Sequence, residues 1–212
     1  MRMDGSSATY TTYGTGILGT FWLGRFKNLM VYGFSENGIV IQHAGETEAY
    51  ENFFLDVYIE QIGNWLPNSR WWNGEGEQSK ASDDAGVGLL LDRIGDSEFQ
   101  RGFARDCGNQ GIKVNGTGGV KFHNVHVYYN QIGIEYRDSS RGIVSNCDIE
   151  TNYQDGLYIV GSGGNTVVGN NFYRNSYGDA AGGLPNGNPS HSAIHVGYTQ
   201  NNVFSANNFY EY

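Results

Sequence analysis

The chain alternates apolar and polar positions in short pieces. "GIEYRD" at 133–138, "GIVSN" at 142–146 and "CDIETN" at 147–152 are each of strand length, with a period of two and turn residues between them. No segment shows a convincing 3.6-residue period, so helices are not expected. An apolar residue recurs at Val31, Val57, Phe103, Val127, Ile149, Phe172 and Phe209. A small residue opening a strand-like run recurs at Gly38, Gly88, Gly111, Gly133, Gly156 and Ala193. Both columns give a unit of about 22–26 residues, with two longer gaps that hold insertions of about 23 and about 14 residues.

Three short strands per unit, stacked unit on unit, predict a parallel β-solenoid whose coils pair only with their neighbours, about 4.8 Å away. The alternation then predicts the core. Ile39, Leu89, Ile112, Ile134, Leu157 and Ile194 form one inward column, and Ile41, Leu91, Val114, Tyr136, Ile159 and Val196 the next. Asparagine fits the corners. Asn130, Asn152 and Asn175 fall at one turn of consecutive coils and Asn124 and Asn146 at another. Asn enters the left-handed region at low cost, and stacked carboxamides can bond along the stack. These asparagines therefore read as structural.

Composition changes this picture little. The 212 residues include 32 Gly and only 3 Pro, which suits one large all-β domain or a piece of one. With 17% charged residues disorder is not expected. A net charge of −9 argues against nucleic acid, because phosphate binding needs a basic face. There is no apolar run of membrane-spanning length and no signal-peptide pattern. Cys107 and Cys147 offer neither zinc spacing nor a disulfide framework.

"GGNTVVGNNFYRN" at 163–175, followed by "HSAIHVG" at 191–197, resembles the repeat of right-handed parallel β-helix proteins, the pectate-lyase-like superfamily. The likeness runs from about residue 20 to the end. The front section "TYTTYGTGILGTFWLGRFKNLMVYGF" is similar to early coils of its tailspike-like branch. The implied fold is a right-handed, single-stranded parallel β-helix spanning residues 1–212. The implied function is directed at carbohydrate: binding, and in the enzymes of the superfamily cleaving, a polysaccharide or cell-surface glycan. The resemblance also implies an extracellular or virion-associated protein, homo-oligomeric, and trimeric if it follows the tailspikes. The chain stops at "NNFYEY", inside a coil, as a fragment of a longer protein would. A non-catalytic structural or glycan-binding module of a virion fibre or cell-surface protein is the open alternative.

Chemistry is sought where the repeat is interrupted. The insertions at 64–86 and 176–190 follow the same turn and precede the Gly-Ile strand, so both should project from one edge of the solenoid. Four coils apart, they would flank a trough of roughly 19 Å. Its floor would be the outward column Leu90, Lys113, Glu135, Tyr158 and His195, with Asp92, Asn115, Arg137 and Val160 beside it. Glu135, Lys113, Arg137, Tyr158 and His195 are the candidate catalytic groups, since acidic, basic and phenolic side chains on adjacent coils can exchange protons. Lys113 beside Glu135 is equally what a cross-strand ion pair looks like. Glycoside hydrolysis would need two carboxyl groups about 5–5.5 Å or about 6.5–9.5 Å apart, and Glu135 has no acidic neighbour in its column. Trp65, Trp71 and Trp72 in the first insertion are candidate sugar-stacking residues, with Asp83 and Asp84 able to approach the trough. No metal site is evident. Lyases of the superfamily often use calcium, but "SDDAG" matches no calcium-loop pattern.

Overall fold

The computed structural model describes residues 2–4, 14–43, 49–63, 86–176 and 192–210. Among these every regular element is a strand, and every strand pairing is parallel. One sheet of seven strands stacks Ile17–Gly19, Ile39–Gln42, Leu89–Asp92, Gln110–Asn115, Ile132–Arg137, Leu157–Val160 and Ile194–Gly197. This is the Gly-Ile sheet. The second, of eleven strands, begins with Arg2–Asp4 and continues through Arg25–Tyr32, Phe53–Ile62, Glu98–Cys107 and Lys121–Tyr128. It then divides into two short strands per coil, Ile143–Ser145 followed by Asp148–Glu150, and their successors. A two-stranded sheet joins Ala49–Tyr50 to Ile94–Gly95.

Single left-handed residues turn the chain at the corners. The eleven-stranded sheet bends at Asn28, Asp56, Arg101 and Asn124 within its long strands and at Asn146, Gly169 and Ala206 between its short ones, all with positive φ. Further corners fall at Arg93, Gly116, Asp138, Gly161 and Tyr198, and at Tyr129, Thr151 and Arg174. One residue per corner reverses the side-chain phase, and neighbouring coils stay in register on both sides of it.

The expected inward columns are present. Ile39, Leu89, Ile112, Ile134, Leu157 and Ile194 are successive register partners, as are Ile41, Leu91, Val114, Tyr136, Ile159 and Val196. Tyr136 is fully buried in this column, and its hydroxyl donates to Val120 O at 3.0 Å, so the phenol is satisfied. The small-residue column has a steric cause. A Cβ on Gly38 or Gly88 would stand 2.5 Å from the carbonyl oxygen of the next coil.

The apolar column on the opposite wall needs correction at two places. Its register is Val31, Ile59, Ala104, Val127, Ile149, Phe172 and Phe209. Val57 is interior but belongs to the neighbouring column, with Leu29, Gly102 and Val125. Phe103 points outward, in register with Tyr58 and His126, and its ring lies 5.1 Å from that of Tyr58. The long strands carry consecutive apolar residues, so the larger side chain is a poor guide to which face is interior.

Asparagine plays its two roles at separate positions. Asn124 and Asn146 occupy left-handed corners, with φ of 53° and 52°. Asn130, Asn152 and Asn175 do not, and instead bond from coil to coil. Asn130 Nδ2 donates to Asn152 Oδ1 at 3.1 Å, and Asn152 Nδ2 to Asn175 Oδ1 at 2.9 Å. A second run joins Asn170 to Asn207 at 3.0 Å. Each carboxamide also takes or gives a main-chain bond at a turn that would otherwise bury an unmet polar group.

Candidate functional site

The outward column of the Gly-Ile sheet forms as expected. Lys113 stands in register between Leu90 and Glu135, and Tyr158 between Glu135 and His195. The neighbouring column runs Asp92, Asn115, Arg137 and Val160. Its exposure is unexpected. Val40 and Leu90 are buried and cluster with Val87 on the outer face. Lys113 and Glu135 are buried too, Glu135 with 1% of its surface exposed. Only toward Tyr158 and His195 does the column open to half-burial.

The Glu135 carboxylate is already engaged. Arg137 Nε donates to its Oε1 at 2.7 Å, and Gln110 Nε2 donates to its Oε2. Burial lowers the Arg137 pKa, but the hydrogen bond and charge of Glu135, with Tyr158 and Asp138 nearby, outweigh it and hold the guanidinium charged. Arg137 stays 45% exposed while its partner is sealed. A buried carboxylate thus fixes an accessible cation.

At the open end, the Tyr158 and His195 rings meet edge-on, 4.8 Å between centroids and 73° between planes. His195 Nδ1 stands 3.7 Å from Asp155 Oδ1. Asp155 is buried, and its Oδ1 accepts the Ser192 backbone N–H at 2.7 Å. Asp155 and Gln110 were not legible as site residues. Each directly precedes a glycine of the small-residue column, at a position that holds Val87 and Ile132 in other coils, and that placement is the only signal either carries.

Trp65, Trp71, Trp72, Asp83 and Asp84, and the trough expected between the insertions, lie outside the described residues. The described ends of both interruptions share one turn. Asn109 N bonds Gly86 O, Gln154 N bonds Gln131 O and Ser176 N bonds Gln154 O, in a continuous stack. Among the described residues no group of three or more His, Cys, Asp or Glu could hold a metal ion. None of the described residues forms a helix long and apolar enough to cross a membrane.

The model of the right-handed β-helix region family matches residues 13–178 and 110–211. The chain belongs to that family. The β-helix is similar in structure to the enzymatically active domain of tailspike protein 2 from bacteriophage CBA120, at 16% identity and a TM-score of 0.63, covering 98% of this chain and 33% of that one. It is also similar to the Dettilon tailspike protein, at 16% identity and a TM-score of 0.60, covering 92% of this chain and 36% of that one. The β-helix therefore spans about a third of either tailspike chain, and at such identity the likeness is one of fold. No curated protein matches the sequence.

Proposed function

We propose that this β-helix is a carbohydrate-directed module that binds a polysaccharide on the outer face of its Gly-Ile sheet, at the end formed by Arg137, Tyr158 and His195. The observation that carries this is the Glu135–Arg137 pair. Its carboxylate is sealed and its guanidinium exposed, beside two half-open rings on the next two coils. The face offers a fixed cation and, on the next two coils, a phenol and an imidazole whose rings are 4.8 Å apart, close to the length of one sugar residue. Ring faces pack against sugar C–H groups, and the polar tips set orientation. The likeness of fold to the enzymatically active domain of a phage tailspike protein supports the reading. On an extracellular or virion-borne fibre, where tailspikes belong, a cell-surface glycan is the ligand within reach.

Binding is favoured over cleavage at Glu135, because a carboxylate with 1% exposure and two donors in place is not free to take a substrate proton. We assign Glu135, with Lys113 buried beside it, to holding the face. The reading in which the module also cleaves its ligand rests on His195. A buried carboxylate 3.7 Å from its Nδ1 is suited to orienting an imidazole as a base. A panel of capsular and lipopolysaccharide glycans, probed with the protein and with Arg137→Ala, Tyr158→Ala and His195→Ala, tests both. Binding should fall at least about tenfold in each variant, as for central contacts. Glycan shortening that His195→Ala abolishes even at saturating glycan would establish cleavage. Binding that none of the three substitutions weakens would exclude this face.

A further inference from the structure

The eleven-stranded sheet carries a second group of reactive side chains, on its outer surface and away from the Gly-Ile face. Three consecutive coils contribute one residue each. His123 is in register with Ser145 on the following coil, and Lys121, two residues before it, is in register with Glu98 on the preceding one. The imidazole bridges the coils. His123 Nδ1 is hydrogen-bonded to Ser145 Oγ, and His123 Nε2 stands 3.6 Å from Glu98 Oε1. Gln100 Nε2 donates to the same Glu98 oxygen and fixes the carboxylate. These partners select the tautomer. With Nε2 turned toward the carboxylate, the tautomer that carries its proton there leaves the Nδ1 lone pair directed at a hydroxyl.

We propose that Ser145, His123 and Glu98 form an acyl-transfer centre that hydrolyses small O-acyl esters, with Ser145 as nucleophile, His123 as base and Glu98 as the positioning residue. In the first step Ser145 Oγ adds to the ester carbonyl carbon while its proton passes to His123 Nδ1. The carbonyl oxygen becomes an oxyanion. Lys121 is the cation on the same outer face, between Glu98 and Ile143 in register. Collapse of the adduct breaks the ester C–O bond, and the leaving alkoxide takes the proton back from Nδ1. Water then adds to the acyl-serine as His123 accepts its proton, and expulsion of Ser145 Oγ, reprotonated by His123, releases the carboxylic acid. No cofactor or redox partner is required. Glu98 stabilises the imidazolium formed in each half-reaction.

The size of the acyl group follows from exposure. Ser145 is 7% exposed, whereas the His123 and Glu98 side chains are 27% and 30% exposed. The flanking outward residues Ile143 and Val168 are half-buried and apolar. The acid side therefore admits an acetyl-sized group, and the alcohol side faces solvent and can be large, as in an O-acetylated sugar.

The centre is independent of the glycan-binding reading, and its test needs no glycan. The protein would be incubated with p-nitrophenyl acetate, and separately with methanesulfonyl fluoride followed by peptide mass spectrometry. Nitrophenolate release should exceed background by about 10²–10⁴-fold, the range for a positioned acid–base pair, and should return to background in Ser145→Ala and His123→Asn. Sulfonylation should fall on Ser145 and be lost in His123→Asn. Glu98→Gln should lower kcat and leave KM unchanged, because holding the base in place acts on the chemical step and not on substrate binding. Equal release by wild type and a folded Ser145→Ala, or sulfonyl fluoride that leaves Ser145 unmodified in the wild type, would overturn the proposal. So would a Glu98→Gln variant whose kcat matches that of the wild type.

Discussion

The Asn152 carboxamide donates to Asn175 Oδ1 across 2.9 Å and, through its own oxygen, accepts the backbone N–H of Asn130 at 3.1 Å. Asn152 is fully buried, and its Nδ2 also donates to Val127 O at 3.2 Å. Asn152→Ala leaves the Asn130 N–H and the Val127 carbonyl buried without these partners. At about 1–3 kcal/mol for each orphaned group, the expected loss is about 2–6 kcal/mol by urea unfolding. Asn152→Leu should lose nearly as much, since added apolar surface does not replace four hydrogen bonds. Asn171, whose side-chain bonds to Asp148 and Asn208 are exposed, is the control. Asn171→Ala should change stability by less than about 0.5 kcal/mol.

Glycine to alanine usually stabilises a position with ordinary φ, by restricting the unfolded chain. Gly88 should do the opposite. Its φ is not in the left-handed region, but an added Cβ would stand 2.5 Å from Gly111 O and 2.9 Å from Cys107 Sγ. Coil spacing is fixed by main-chain bonds on both sides, so neither contact can relax cheaply. Thermal unfolding of Gly88→Ala should show a lower Tm than wild type, and an unchanged or raised Tm would mean that the coils yield.

Both thiols should be inert in the folded protein. Cys107 and Cys147 are fully buried, and burial raises both pKa values, that of Cys147 to about 12. The folded state holds these protons to higher pH than the unfolded chain, whose thiols titrate near about 8.5. Their contribution to stability is therefore complete below that pH and declines as pH rises toward about 12. Urea midpoints should fall between about pH 9 and 11, and less steeply in Cys147→Ala relative to its own value at pH 7. Ellman's reagent should label neither thiol until the protein unfolds.

The interior column of the long sheet also carries weight. Ile149 is fully buried between Val127 and Phe172. Ile149→Ala should cost about 2–5 kcal/mol. A loss under about 0.5 kcal/mol would place Ile149 outside the core.

The solenoid was legible because one physical constraint, a Cβ-free or small residue where coils approach most closely, recurs with the repeat. The columns headed by Ile39 and Ile41 follow from Gly38 by simple alternation. The error at Phe103 arose where alternation fails. Arg101 is a left-handed corner within a ten-residue strand, and each such corner shifts the inward phase by one. Nothing in "EFQRGFARDC" marks Arg101 as that corner, since arginine has no special tolerance for positive φ. The face of Glu135 and Tyr158 was legible for the same reason as the core, as the other half of the alternation. That Glu135 is sealed was not, because burial of an outer face depends on what packs over it. The Glu98–His123–Ser145 row was not legible in the sequence, because its members are 22 or more positions apart and meet only through the register of three coils.

The most direct test is affinity for a glycan at the open end of the Gly-Ile sheet, measured by titration calorimetry with the tightest ligand from a polysaccharide panel. Arg137→Ala and His195→Ala should each weaken binding at least about tenfold. Glu150→Gln, on the other sheet and hydrogen-bonded to His126 at 2.7 Å, should leave it unchanged. A panel in which nothing binds, or a ligand whose affinity survives both Arg137→Ala and His195→Ala, would contradict the assignment of this face to carbohydrate.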